Sequence, residues 1–259
     1  MRFAKMHGVG NDFLVFDRGE VLDVDLPRLA RLACDRHFGV GADGILVPQL
    51  SAAADFRMVY LNSDGSVAEM CGNGIRCLAR YARDHRLVDG DSLTIETEAG
   101  IKKLVLYEDG SSRVDIGTPA FNAGVRLLDF NFLQVSVGNP HAIAFLESEA
   151  AVEELNLGEI GPQVEKNHNF PGGTNVEFVS IRDDHDLRMR IWERGAGETL
   201  GSGTGSGAVA VAALRLGLVQ SPVRVHLDGG SVEIEWSGEG EPAYMTGPAE
   251  YVCEGRLIF

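Results

Sequence analysis

The sequence predicts an α+β fold of two similar, pseudo-symmetric domains, each a mainly antiparallel β-sheet or barrel wrapped around a central α-helix. Three observations carry this. The stretch 55–88 aligns without a gap on 186–219, matching Asp55-Phe56-Arg57-Met58 with Asp186-Leu187-Arg188-Met189, Cys71-Gly72-Asn73-Gly74 with Ser202-Gly203-Thr204-Gly205, and Leu87-Val88 with Leu218-Val219. Val9-Gly10-Asn11 recurs as Val137-Gly138-Asn139, in the same order and at a near-constant offset, which argues for two copies of one unit. Each copy also opens a helical pattern on a Gly-rich turn and follows it with short alternating segments punctuated by glycine.

Taken in order, Phe3–His7 and Phe13–Asp17 read as strands joined by the turn-forming Gly8-Val9-Gly10-Asn11-Asp12. Asp25, a good N-cap, with Pro27 in the first turn, starts a helix running to about His37. A loop over Gly39–Gly44 precedes the apolar strands Ile45–Pro48 and Phe56–Leu61, and Asn62-Ser63-Asp64-Gly65-Ser66 makes a turn. The helix after Cys71 has Ile75, Leu78, Ala79, Tyr81 and Ala82 on its apolar side, with Arg76, Arg80 and Arg83 along the other. Its counterpart over Gly205–Leu214 is apolar nearly all round and therefore belongs inside the molecule. Leu93–Ile116 reads as a three-strand meander, and Val223–Trp236 repeats the pattern. The boundary falls near Gly117-Thr118-Pro119, giving domains over 1–117 and 118–248. Helices at Glu149–Leu155 and Glu159–Glu165 decorate the second, and the strand-like 249–259 is placed to return to the first.

The chain has 259 residues, 44% hydrophobic and 24% charged, which suits a soluble globular protein large enough for two cores. A formal net charge of −15 makes nucleic acid and anionic membrane poor partners. No run approaches ~20 apolar residues, and the opening reads as a strand and not a signal peptide, so the cytoplasm is the expected compartment. Cys34, Cys71, Cys77 and Cys253 form neither a disulfide framework nor a metal spacing, and no histidine pair has metal-ligand spacing, so no metal is expected.

Chemistry centres on the two Gly-rich helix starts. A thiol at a helix N-terminus meets unpaired N–H groups and the positive end of the macrodipole, which lowers its pKa, so Cys71 is a candidate acid/base; a buried cysteine serving as a small apolar residue is the alternative. The run Gly201–Gly207 lacks the lysine of a phosphate loop and the setting of a dinucleotide fingerprint, and reads better as a helix terminus holding a carboxylate. Two such termini aimed at the α-carboxylate of one amino acid would stabilise the charge that builds as the α-proton leaves, with groups on opposite faces removing and returning it.

These residues resemble the cofactor-independent diaminopimelate epimerase family over essentially the whole chain. The resemblance rests on His7-Gly8-Val9-Gly10-Asn11-Asp12-Phe13, Asp35–Gly44, Asn62-Ser63-Asp64-Gly65 with Met70–Gly74, Gly138-Asn139-Pro140-His141, Gly173–Phe178, Glu193-Arg194-Gly195 with Gly197-Glu198-Thr199, and Met245-Thr246-Gly247-Pro248. It implies interconversion of LL- and meso-diaminopimelate, in the route to lysine and peptidoglycan, with no cofactor and in particular without pyridoxal phosphate. By the same resemblance Cys71 is one catalytic acid/base, Gly72, Asn73, Gly203 and Thr204 offer donors to the reacting carboxylate, and Asn11, Asn62, Asn139, Asn175, Glu193 and Arg194 line the substrate. His141 and Glu193 tune protonation, and the partner is a small amino dicarboxylate; a homodimer is open. Singly, Asn11, Asn62 and Asn139 also suit turns, and His141 an interior histidine.

Two departures stand out. Ser202 occupies the place of the family's second cysteine, and a hydroxyl holds its proton far more tightly than a thiol. Three explanations stay open: an assisted serine, a one-sided enzyme, or a deliberately changed residue. Gly44 stands where some members carry a substrate-contacting glutamine.

Overall fold

Short alternating segments with glycine at their corners must pair with neighbours to satisfy their backbone groups. The computed structural model describes residues 1–68 and 70–258, and its chain divides into two compact units, Met1–Val114 with Gly247–Phe259, and Asp115–Thr246. In the first, β1 (Arg2–Gly8) is antiparallel to β2 (Asn11–Val15), β2 parallel to β3 (Gly44–Gln49), and β3 antiparallel to β4 (Phe56–Asn62). β4 then lies parallel to β5 (Ser92–Thr97), which continues antiparallel through β6 (Gly100–Leu106) to β7 (Ser112–Gly117). Helix α1 (Leu26–Ala33) connects β2 to β3, and α2 (Gly72–Asp84) connects β4 to β5.

The second unit repeats these pairings. β8 (Ala120–Leu127), β9 (Phe130–Ser136) and β10 (Pro140–Phe145) are successively antiparallel, β10 lies parallel to β11 (Asn175–Asp183), and β11 is antiparallel to β12 (Asp186–Glu193). A short β13 (Gly197–Thr199) folds back on β12. β12 is also parallel to β14 (Val223–Leu227), which continues antiparallel through β15 (Gly230–Trp236) and β16 (Ala243–Gly247). Helices α3 (Glu149–Glu153) and α4 (Leu157–Glu165) bridge β10 and β11, and α5 (Gly203–Arg215) precedes β14 as α2 precedes β5. The last strand, β17 (Glu250–Arg256), holds beside β1 the antiparallel place that β8 holds beside β9. The observed class is thus the α+β fold that the repeat implies. Phe259, the end of the expected terminal segment, lies outside the described residues.

Each central helix packs inside its own curved sheet. α5 can do so because Gly, Ala and Val dominate its surface and strands approach closely on every side; Ala208 to Ala213 are all buried. Its buried Ser206 hydroxyl is satisfied by donating to the Ser202 carbonyl at 2.7 Å. β11 is buried on both faces from Asn175 to Ser180, since α5 covers one side while Leu157 and Val164 of α4 pack with Val176 and Phe178 on the other.

One expectation is corrected. α1 ends at Ala33, short of His37, because the Asp35 carboxylate accepts the His37 and Phe38 N–H groups at 2.8 and 2.7 Å and turns the chain out of the helix. Gly39 then packs on the helix end, where a Cβ would lie 2.3 Å from the Leu32 carbonyl oxygen and 2.6 Å from that of Ala33. Gly39→Ala is therefore expected to destabilise the protein by about 1–3 kcal/mol, read as a lower urea midpoint at unchanged slope. Arg76, on the polar side of α2, is fully buried. α2 is enclosed by strands, so its polar side is spent on internal carbonyls: the guanidinium donates to Gly72 O at 3.0 Å, Asn73 Oδ1 at 2.9 Å and Pro248 O at 3.3 Å.

Candidate active site

In the first unit, Cys71 is the N-cap of α2, with extended backbone at φ −139°, ψ 119°. Its Sγ accepts the Gly74 N–H at 3.4 Å and donates to Asn11 Oδ1 at 3.4 Å, and Asn73 Nδ2 donates to the same oxygen at 3.3 Å. Asn11 begins β2 beside the tight Val9-Gly10 turn, where both residues have positive φ (47° and 84°). A charged network stands behind it. Asp43 accepts the Asn11 Nδ2 at 2.6 Å and the Asp12 N–H at 3.2 Å, while Arg36 reaches Asp12 at 2.9 Å and Asp43 at 2.8 Å and Lys5 reaches Asp12 at 2.9 Å. Burial works to raise the Asp12 pKa, but hydrogen bonds from Arg36 and Lys5 hold it below the usual carboxylate range. The remaining thiols of known burial are set apart: burial pushes Cys34 and Cys77 up to about 12, and Cys253 is exposed.

In the second unit, Ser202 caps α5 with nearly the same backbone, φ −131° and ψ 120°, and its Oγ accepts the Gly205 N–H at 3.2 Å. Cys71 and Ser202 are thus the same kind of cap on the same kind of helix. Ser202 is 3% exposed. Beside it a polar chain runs through the interior: Glu177 Oε1 lies 2.6 Å from His141 Nδ1, His141 Nε2 lies 2.9 Å from Asn139 Oδ1, and Asn139 Nδ2 donates to Thr204 Oγ1 at 3.3 Å. Glu177 is fully buried, which pushes its carboxyl up against the pull of His141. A lone charge at this depth is costly, so the close contact with the His141 ring is what compensates the buried carboxyl.

The other residues singled out in the sequence are placed as follows. Asn175 lies opposite His141 in the β10–β11 pairing; its Oδ1 accepts the Arg194 N–H at 2.8 Å and its Nδ2 donates to Pro140 O at 3.2 Å. Arg194 extends over the Gly172 carbonyl at 3.0 Å, and Glu193 accepts the Thr199 hydroxyl at 2.6 Å. Asn62 ends β4, where its Nδ2 donates to Ser66 Oγ at 3.0 Å. At Gly44 a Cβ would lie 2.5 Å from Leu61 O and 2.7 Å from the Tyr60 ring, so this strand packing has no room for a side chain. Asp43 and Glu177 are the polar supports that the sequence reading did not single out. Glu177 was detectable: a carboxylate within the apolar run Val176-Glu177-Phe178-Val179, two residues from Asn175 and so on its face, needs an internal partner. Among the described residues, no group of three or more His, Cys, Asp or Glu is arranged to hold a metal ion, and no helix is long and apolar enough to cross a membrane.

The family model for diaminopimelate epimerase matches residues 3–122 and again 133–252. The chain belongs to the diaminopimelate epimerase family. Diaminopimelate epimerases from Desulfitobacterium hafniense and Carboxydothermus hydrogenoformans are each 45% identical to it, covering 100% of this chain and 98% and 100% of theirs. The one from Methanococcus maripaludis strain C6 is 43% identical over 99% of both. Among solved structures, a Bacillus anthracis phenazine biosynthesis protein of the PhzF family shares the fold with a TM-score of 0.80 at 19% identity, covering 100% of this chain and 99% of that one. A hydroxyproline epimerase from Agrobacterium vitis does so with 0.69 at 16%, covering 98% and 91%. The double match of one diaminopimelate epimerase model is the repeat of Cys71 and Ser202 seen again: each match contains one capped helix.

Proposed function

We propose that the protein is a diaminopimelate epimerase, an isomerase that interconverts LL- and meso-2,6-diaminopimelate in the cytoplasm without pyridoxal phosphate. Cys71 carries the α-proton for one face of the carbon and Ser202 for the other. The observation that supports this most directly is the equivalence of the two caps, each with an oxygen or sulfur that accepts the N–H three residues on. The N–H groups at Gly72 and Asn73, and at Gly203 and Thr204, suit a carboxylate whose carbon is gaining negative charge. Asn11, Asn62, Asn139, Asn175 and Arg194 are assigned to the amino and carboxyl groups of the substrate, Arg194 by its planar fork of donors. A reduced Cys71 fits the reducing compartment.

Ser202 sets the rate in this reading, because proton transfer is efficient only when the carrier's pKa lies near the working pH. Ser202→Cys is expected to raise kcat in both directions by about tenfold or more. The assay is deuterium wash-in at the α-carbon together with change in optical rotation, starting from each stereoisomer. Wash-in without inversion would show a one-sided enzyme, and calorimetric binding of diaminopimelate with no exchange would show a binding protein.

A further inference from the structure

Asn11 and Asn139 come from the repeated Val-Gly-Asn, and each stands beside its own helix cap, yet their amides are turned opposite ways. Asn139 presents its Nδ2 to Thr204, whereas Asn11 presents its Oδ1 to Cys71 and Asn73. The difference has a cause that lies behind each residue. Asn139 is addressed by His141, which stands against its oxygen. Asn11 is addressed by Asp43, and a carboxylate only accepts hydrogen bonds, so the amide end facing it must be the Nδ2. Asp43 is itself fixed by the Asp12 N–H and by Arg36.

We propose that Asp43 is a positioning residue for Cys71: by fixing the amide of Asn11 it aims a carbonyl oxygen at the thiol and favours the protonated sulfur between turnovers. A hydrogen bond to the neutral form of an acid opposes its ionisation. The inference rests on the reading of Cys71 as a proton carrier. Among the described residues, the charged and titratable groups of this cap and of the network behind Asn11 include Arg76 and Cys77 on α2, which interact electrostatically with Cys71, Lys5 on β1, Asp12 on β2, and Arg36 and Asp43 between β2 and β3. Arg76 and the Gly74 N–H favour the thiolate; Asp12, Asp43 and the Asn11 carbonyl oppose it. Asp43 thus acts twice, through its charge and through the amide it orients.

The test separates these two. Iodoacetamide alkylation of Cys71 in the full chain, read by peptide-resolved mass spectrometry so that Cys253 does not interfere, gives the midpoint of thiolate formation between about pH 5 and 10. Asp43→Ala frees the amide to turn and is expected to lower that midpoint by about one unit. Asp43→Asn removes the charge but keeps a carbonyl for the Asn11 and Asp12 N–H groups, so its midpoint falls only by the charge's share, less than about half the shift of Asp43→Ala. Equal shifts in both variants would mean charge alone, and no shift in either would mean no influence; each overturns the proposal. Should Asp43→Ala fail to fold by circular dichroism, Asn11→Ala stands in, with the same downward shift expected and an unmoved midpoint overturning the proposal. Because alkylation does not need turnover, an unmutated protein that exchanges no α-hydrogen would remove the epimerase reading while leaving this result to be judged separately.

Discussion

Cys71→Ala is expected to lower kcat by about 10²- to 10⁴-fold from both LL- and meso-diaminopimelate, the range lost with a positioned acid/base. Both directions suffer because the proton carrier for one face removes hydrogen in one direction and delivers it in the other. The fold should survive: the Sγ contact to the Gly74 N–H is 3.4 Å long, and loss of a side-chain cap costs about 1 kcal/mol. Steady-state rates from each isomer, taken with a thermal melt, check this. A folded variant retaining more than about a tenth of the rate would remove Cys71 from the chemistry.

Arg76→Ala carries the largest expected effect on stability, a loss of about 3–5 kcal/mol. Arg76 heads the fully buried side chains by size, and burial pulls its pKa below the ordinary guanidinium value. Truncation would leave a cavity against α2 and strip a charged donor from the Gly72 and Pro248 carbonyls and from Asn73 Oδ1. Asn73 would then lose the contact that orients its Oδ1 while its Nδ2 still serves Asn11, so activity falls along with stability. Urea unfolding gives the stability change; a variant within about 1 kcal/mol of the parent would mean that water replaces the guanidinium without cost.

The parts legible in the sequence were those with local causes. A cysteine and a serine flanked by glycine, each followed by a helical pattern, are caps by their own geometry, and the small residues of α5 demand an enclosed helix. The repeat makes each half a check on the other. What stayed hidden was set by distant partners. Periodicity puts Arg76 on the polar side of α2 but cannot show that its partners there are internal carbonyls. The early end of α1 depends on Asp35 and on Gly39 meeting helix carbonyls. Asp43 lies 32 positions from Asn11 and Glu177 lies 36 from His141, so neither pairing is visible in a local window.

The place of β17 has a consequence for how the protein is made. β1, made well before its partner strand, pairs on one edge with residues from Glu250 to Arg256, and the Met1 amino group donates to the Leu257 carbonyl at 3.2 Å. In the second unit the equivalent partner, β8, immediately precedes β9 and is available at once. Synthesis at ~5–20 residues per second therefore leaves the earlier half with an open sheet edge until residues 250–256 emerge, although its counterpart can close as it is made. The half that is made first is the half that is finished last.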